Sequence, residues 1–590
     1  MLTGSSVTED GGYGFHNRIG VRQEGSIKMK QTIIHNPIIW ADVPDVDVIR
    51  VEDTFYMVST SMHSMPGCPI MKSKDLVHWE IAHYVFDSFE DNPGHNLEDG
   101  KGIYGNGSWA ASLRFHGGYY YLAFNCNDTH HFYIYRTEDI ERGGWQQWAK
   151  LDQFFHDPAL FFEEDGTPYV IYGCGDIRIV ELKKDLSGIQ EGGVNQYLLH
   201  TPRENIGLPC EGGHAYKIDG MYYLLYIEWP KQGNGNGFRR EVCYRSQKLL
   251  GPYERKVVLD DDMGYMGQGI AQGCIFDTPS GDWIAMLFQD HHAVGRIPYL
   301  IPVTWEDGWP VMGVNGKVPE SFTVTIQSTN DSAEQKTESL YDSAEQMTET
   351  ANDPVEQMTE TPKDREISQE CAYLVISDDF NHSENKLALQ WQWNHNPDNA
   401  LWSFTERPGF LRLKTGRLVQ KGIVQARNTL TQRTVGPSCY AVTRIELNGL
   451  LPGDCAGLTA LQGQFGLIGI RKSIDGSCDV VMCENGGDYF ETVVESLAWP
   501  HSQIYLKITF DFEQSRDCAD FFYSEDGEQW FKLGRTLQMR YTLDHFMGYR
   551  IGLYCYATLN VGGYADFDFF DIQVKERSIA TVNQNGTGKE

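Results

Sequence analysis

The chain has no run of about 18 apolar residues, so no segment is long enough to cross a bilayer as a helix. It has no Cys-x-x-Cys pair although it carries 13 cysteines, which argues against zinc ribbons and thioredoxin chemistry. Those cysteines are odd in number and spread without pairing rhythm, and they fit free thiols in a reducing compartment. Positive charge is scarce: 49 Lys+Arg stand against 81 Asp+Glu, a net charge of −32. Nucleic-acid phosphates need a basic patch, and an anionic membrane surface would repel this chain, so a neutral substrate suits it best. Residues 1–30 lack a basic start followed by an apolar run, so no signal peptide is visible and a cytoplasmic location is expected. Met29 offers an alternative start, and residues 1–32 are expected to form a disordered leader.

What is abundant is aromatic side chains, at 13% with 14 Trp, and hairpin turns. Five turns stand directly before aromatic or β-branched strands: Glu52-Asp53, Gly117-Gly118, Asp165-Gly166, Asp219-Gly220 and Ser280-Gly281. Asp-Gly, Gly-Gly or Ser-Gly before such a run is a strong hairpin signal. Counted from 53, 117, 165, 219 and 280, the spacings are 64, 48, 54 and 61 residues. A loose period of that size, all strand and turn, predicts propeller blades of about four strands each. Five turns predict five blades, with an irregular sandwich as the alternative.

Eight residues before each turn stand Asp45, Trp109, Asp157, Glu211 and Gln272. If the blades are equivalent, these residues share one place at the start of each innermost strand. They would then ring one mouth of the central channel. Three acids, one Trp and one Gln on such a ring suit cleavage of a sugar. Scattered surface carboxylates would not keep this register three times.

At 590 residues the chain exceeds one core, so two domains are expected. The repeat domain is placed at 33–320. An acidic linker follows at 321–371, where Asp331-Ser-Ala-Glu-Gln-Lys-Thr-Glu, Asp342-Ser-Ala-Glu-Gln-Met-Thr-Glu and Asp353-Pro-Val-Glu-Gln-Met-Thr-Glu recur at eleven residues. Such a period can build a right-handed coiled coil, but too few apolar residues are present to make a seam. Short alternating strands return from 372 to 577 and predict a two-sheet sandwich, before a flexible tail at 578–590.

Hydrolysis of a glycosidic bond needs one carboxyl group to donate a proton to the leaving oxygen and a second to attack the sugar or activate water. Asp45, short and held in Val43-Pro-Asp-Val, is expected to be the general base. Glu211, in Pro209-Cys-Glu-Gly-Gly-His214, has small neighbours and a longer reach, and is expected to be the general acid. Asp157, in Phe155-His-Asp-Pro158, would orient Glu211 and favour its protonated form through a like charge. Trp109 offers a flat face to a pyranose ring, and propeller core is the alternative for it. Gln272 completes the ring, and Arg296 could bind sugar hydroxyls or offset charge between the acids. His291, after Phe288-Gln-Asp290, could hold a hydrated Ca²⁺ in the channel, although calcium prefers oxygen ligands.

At these residues the sequence resembles glycoside hydrolase family 43. The stretches are Asn36-Pro-Ile with Pro44-Asp45, Ser73-Lys-Asp-Leu-Val-His-Trp79, Asp157-Pro-Ala-Leu-Phe-Phe, and Glu211-Gly-Gly-His-Ala-Tyr-Lys with its Asp219-Gly220 turn. The resemblance implies an all-β fold, a five-bladed β-propeller followed by a concanavalin-like β-sandwich. It also implies inverting hydrolysis with Asp45 as base, Asp157 as modulator and Glu211 as acid. The C-terminal part, with Leu389-Gln-Trp-Gln-Trp393 and Leu401-Trp-Ser-Phe404, is similar to the sandwich of the β-xylosidase branch. In that branch a sandwich aromatic closes the pocket, and Phe546 is its expected counterpart. Ala271 departs from the pattern, standing where many members have an axial histidine, and this shifts the metal candidate to His291.

The expected activity is release of xylose from the non-reducing ends of β-1,4-xylo-oligosaccharides, with side α-L-arabinofuranosidase activity on arabinosylated oligosaccharides. A dedicated α-L-arabinofuranosidase and a non-catalytic sugar-binding protein are the alternatives. The sequence leaves monomer against homo-oligomer open.

Overall fold

A computed structural model describes residues 28–231, 239–328 and 374–575. The acidic repeats from Asp331 and the tail at 578–590 lie outside these residues, as does the leader up to residue 27. Among the described residues helix is confined to three short 3-10 turns, and the rest is strand and loop.

The first half forms five four-stranded antiparallel sheets in strict sequence order. Their innermost strands are Asp47–Val51, Ser108–His116, Ala159–Phe162, Ile206–Ile218 and Gly273–Asp277. Each packs against the innermost strands of both neighbours, and the ring closes between the fifth blade and the first. This is a five-bladed propeller. The hairpin reading holds because the turns have the backbone it requires. In the fourth blade Asp219 (φ 50°) and Gly220 (φ 77°) both lie in the left-handed region, as a two-residue turn between twisted strands demands.

Two expected boundaries move. Lys28–His35 pairs antiparallel with Ser321–Ser328, in register from Lys28 opposite Ser328 to His35 opposite Ser321. The ordered chain therefore extends into both the expected leader and the expected linker. Local pattern could not show this, because the two strands are almost 300 residues apart. Buried Asn36 fastens the ribbon to the fifth blade: its amide donates to the Leu300 and Pro319 carbonyls at 2.8 and 3.0 Å, and its Oδ1 accepts from Leu300 N at 3.0 Å.

The second half is a sandwich of two eight-stranded sheets. In one sheet Ser438–Glu446 and Gln503–Asp511 alternate buried and half-buried residues along their length, the period of a strand with one face to the core. In the other, Asp454–Leu461 and Arg550–Ala557 are buried at every position. Their second face is covered by Val419, Ile423 and Val424, with Tyr104 of the propeller packed beside them.

That second sheet is not built from the sandwich alone. Its last strand is Ser64–Met65 of the first blade, which pairs with Gln392–Asn394. The two halves thus share a hydrogen-bonded sheet, which a division into separate domains did not anticipate.

Candidate active site

Three of the five residues of the expected ring meet where the innermost strands of their blades begin. Asp45, Asp157 and Gln272 line one small hollow, together with Gly212, Ala110 and Ala111. The backbone there is unusual. Asp45 (φ 52°), Ala110 (φ 42°) and Asp157 (φ 44°) lie in the left-handed region just where each blade's first strand begins. Asp tolerates that region better than most residues, and such strain gathers at functional sites.

Asp45 is 5% exposed. The Thr60 hydroxyl donates to its Oδ2 at 2.6 Å and Arg296 Nη1 donates to its Oδ1 at 2.8 Å. Gln272 Nε2 stands 3.5 Å from the same Oδ1. Thr60 in turn accepts from Ala110 N at 2.8 Å, tying the first blade to the second. Burial works against the Arg296 charge, but the Asp45 carboxylate, helped by Tyr541 and Asp42, more than offsets this and raises its pKa.

Glu211 lies inside a long strand, not at its start. The pairing of Ile206–Ile218 with Met221–Pro230 shifts register on both sides of Glu211, and such bulges re-aim a side chain. Gly212 makes the turn possible. It has φ +66°, and a Cβ there would lie 2.1 Å from the Gln272 side chain. Its amide donates to Asp157 Oδ2 at 2.9 Å. Asp157 is thereby joined to the residue next to Glu211.

Burial pushes the Asp157 carboxyl up to about 6; His156 opposes this, while Glu211 and Asp45 add to it. His156 bridges Asp157 and Glu211. Its Nε2 is 3.1 Å from Glu211 Oε2 and 3.7 Å from Asp157 Oδ2. The Asp157 carboxylate, with help from Glu211, overcomes burial and holds the imidazole up to about 9.

The sandwich reaches this site through Phe546. Its ring meets Trp109 edge-on at 5.0 Å, and the Arg296 guanidinium lies 5.4 Å from the Phe546 ring and 5.5 Å from Trp109. Arg296 Nη2 also donates to the Phe546 carbonyl at 3.4 Å. Trp109 is half-buried, with its indole N–H given to Gly105 O at 3.1 Å. Arg296 itself is 4% exposed, so it is a buried partner of Asp45.

His291 stands apart from this group. Its Nε2 is taken by Gln289 Oε1 at 2.7 Å and the Tyr299 hydroxyl at 3.1 Å, and its ring stacks on Tyr265 at 4.0 Å. Burial pushes its pKa down to about 3. A calcium ion needs oxygen ligands, and these contacts do not fit one at His291.

Four contributors were not read from the sequence: Thr60, His156, Asp42 and Tyr541. His156 adjoins Asp157 in the sequence, and a titratable residue beside an expected acid was the one available signal. Asp42 accepts from Arg296 N at 2.8 Å through Oδ1 and from Gly548 N at 2.9 Å through Oδ2. Nothing local marks that role.

Comparison with known proteins finds one matching family model in each half of the chain. Residues 34–310 match the family model for glycosyl hydrolases family 43, and residues 377–573 match the β-xylosidase C-terminal concanavalin A-like domain. A β-xylosidase of Formosa agariphila is 29% identical, over 91% of this chain and 89% of its own. A non-reducing end α-L-arabinofuranosidase of Bacteroides ovatus is 28% identical over 66% of each chain. The solved structure of a bifunctional GH43-CE protein of Bacteroides eggerthii is 42% identical, with a TM-score of 0.80. It covers 93% of this chain, which spans 64% of that protein's length.

Proposed function

The chain belongs to glycosyl hydrolases family 43, whose enzymes are inverting glycoside hydrolases, and from that premise we propose that it releases xylose from the non-reducing ends of β-1,4-xylo-oligosaccharides. Side activity on α-L-arabinofuranosides of arabinosylated oligosaccharides belongs to the same proposal. The observation that carries it is the convergence of Asp45, Asp157 and Glu211 beside a contact among Phe546, Trp109 and Arg296.

In this reading Asp45 takes a proton from the water that attacks the anomeric carbon, and Glu211 gives one to the departing oxygen. The bond to the leaving sugar breaks as the bond to water forms on the opposite face. Asp45 ends the turnover protonated and Glu211 ends it ionised, so each must exchange one proton with solvent to reset. Asp157 holds Gly212 and adds negative charge beside Glu211, which favours a protonated neighbour. Arg296 and Thr60 fix the Asp45 oxygens, and Trp109 and Phe546 offer apolar surface to one sugar ring. A pocket closed by a loop from the second half accepts chain ends, which supports exo action.

The test is initial-rate release of p-nitrophenol from the β-xylopyranoside and the α-arabinofuranoside, with xylobiose beside them and the product anomer followed by NMR. Xylobiose cleavage giving α-xylose first is expected. Turnover of the arabinofuranoside alone would replace the proposal with a dedicated α-L-arabinofuranosidase, the activity that the name of the Bacteroides ovatus relative carries. Sugar binding with no turnover of any substrate would overturn the catalytic roles.

A further inference from the structure

The residue that touches Glu211 most directly has no role in the reaction as described so far. His156 is 43% exposed at its side chain, Glu211 is 24% exposed, and His156 Nε2 lies 3.1 Å from Glu211 Oε2. We propose that His156 is a positioning residue for the general acid. It holds one carboxyl oxygen of Glu211, leaves Oε1 to face the departing oxygen, and by its charge sets the pH above which the acid is lost. The inference rests on Glu211 being the acid.

Three observations bear on it. First, Glu211 sits on a bulged strand between shifted registers, followed by Gly212 at φ +66°. Its main chain alone gives its side chain little support, so a contact at the carboxyl end matters for its aim. A donor group must be held to within a fraction of an ångström to be effective.

Second, titratable groups face His156 from two blades. They are Glu211 from the fourth blade, and Asp157 and Cys174 from the third; the His156, Cys174 and Glu211 ligand atoms lie within 4.8 Å of one another. Burial pushes the Cys174 thiol up to about 12, so it stays neutral. The imidazole is held up to about 9, by Asp157 first and Glu211 next. His156 thus sets a cation against two carboxyl groups, and at neutral pH its Nε2–H donates to Glu211; buried Arg239, itself paired with Asp290, also feels the Glu211 charge.

Third, the sign of the effect follows. An opposite charge within about 4–6 Å favours the ionised form of a carboxyl, by roughly 1–3 pKa units. Asp157 favours a protonated Glu211, and His156 favours its ionised form. Removing the His156 charge therefore takes away a neighbour that favours the ionised carboxyl.

The experiment compares pH–rate profiles of kcat for the parent, His156→Gln and His156→Ala. The substrates are xylobiose, a poor leaving group, and an activated aryl xyloside. His156→Gln keeps a donor near Oε2 without charge, and it guards against misfolding of the alanine variant. In both variants the alkaline limb is expected to move up by about one unit. His156→Ala should also lose about tenfold in plateau kcat on xylobiose, with a much smaller loss on the activated substrate, and His156→Gln should recover most of that loss. An unmoved or downward limb in both variants would overturn the inference, as would an equal fall on both substrates. Glu211→Gln serves as the control: parent-like hydrolysis of xylobiose by that variant would instead sink Glu211 as the acid, whatever His156 does.

Discussion

Removing the Asp42 side chain should both loosen the protein and disable it. Asp42 lies three residues before Asp45 and is 8% exposed. Its Oδ1 accepts from the backbone N–H of Arg296 and its Oδ2 from that of Gly548, at 2.8 and 2.9 Å. Its own carbonyl accepts from Arg433 Nε at 3.0 Å. One side chain thus joins the base-bearing segment, the fifth blade and the sandwich loop two residues beyond Phe546. The fit is tight, since a Cβ on Gly295 would come within 2.3 Å of Oδ1. In Asp42→Ala both backbone donors lose their acceptor where water has little access. A hydrogen bond to a charged group contributes about 1.5–3 kcal/mol, so two give about 3–6 kcal/mol. Part of this is offset, because burial raises the Asp42 pKa against the pull of Arg296 and the variant no longer buries that carboxyl. A net loss of about 2–4 kcal/mol is expected. Denaturant unfolding followed by fluorescence measures it, with the slope checked because a chain of two halves need not unfold in one step. kcat/KM on xylobiose, taken well below the melting temperature, should fall at least tenfold as Arg296 and Phe546 lose their common anchor. Asp42→Asn, which keeps one acceptor, should fall between. Asp42→Ala within about 0.5 kcal/mol and twofold in kcat/KM of the parent would refute this account.

Asp157→Asn should stabilise the folded protein at pH 8 and lose that advantage by pH 4. The folded pKa of Asp157 is raised to about 6 from 3.8, so its contribution to stability is present below about pH 4 and is lost as pH rises through 6; melting temperatures across pH 4–8 check the sign, and kcat should fall throughout. Gly212→Ala sets a Cβ 2.1 Å from Gln272 on a left-handed residue, and should cost about 1–3 kcal/mol together with most activity, read from thermal melts and xylobiose turnover. Exhaustive EDTA treatment should leave rate and melting temperature unchanged, because Gln289 and Tyr299 occupy His291 Nε2; recovery on adding Ca²⁺ after a loss would reverse this.

The propeller was legible because each blade repeats a local signal, a turn with positive φ behind a strand of aromatic and β-branched residues. The shared offset of eight residues also located Asp45, Asp157 and Gln272 around one hollow. It was only approximate for Glu211, since a bulged strand of 13 residues carries it, yet the tether to His156 and the Gly212–Asp157 bond return it to the group. Phe546 was reached through family resemblance, because no local pattern connects a sandwich loop to a propeller axis. His156, Thr60 and Asp42 were missed for one reason. Their roles are hydrogen bonds made only when distant segments meet, and neither turn chemistry nor periodicity encodes them. The ribbon of Lys28–His35 with Ser321–Ser328 and the strand Ser64–Met65 in the sandwich sheet escaped for the same cause.

These long-range ties bear on why the second half exists. The propeller alone supplies three acids, Thr60, Arg296 and Trp109, and could in principle be a complete acid–base site. Yet Arg296, which holds Asp45 Oδ1, is itself held from both halves: by Asp42, whose other oxygen is bound to Gly548, and by the carbonyl of Phe546. Asp42 holds the Arg296 backbone, while Asp45 and the Phe546 carbonyl accept from its guanidinium, and a desolvated charge left short of such partners is costly. The sandwich loop therefore does more than cover a sugar. It completes the setting in which Asp45 is oriented, and the shared sheet at Ser64–Met65 fixes that loop to the blade whose first strand follows Asp45. Under the proposed reading, pocket closure and base orientation are one structural event, which ties the proposed preference for chain ends to the chemistry itself.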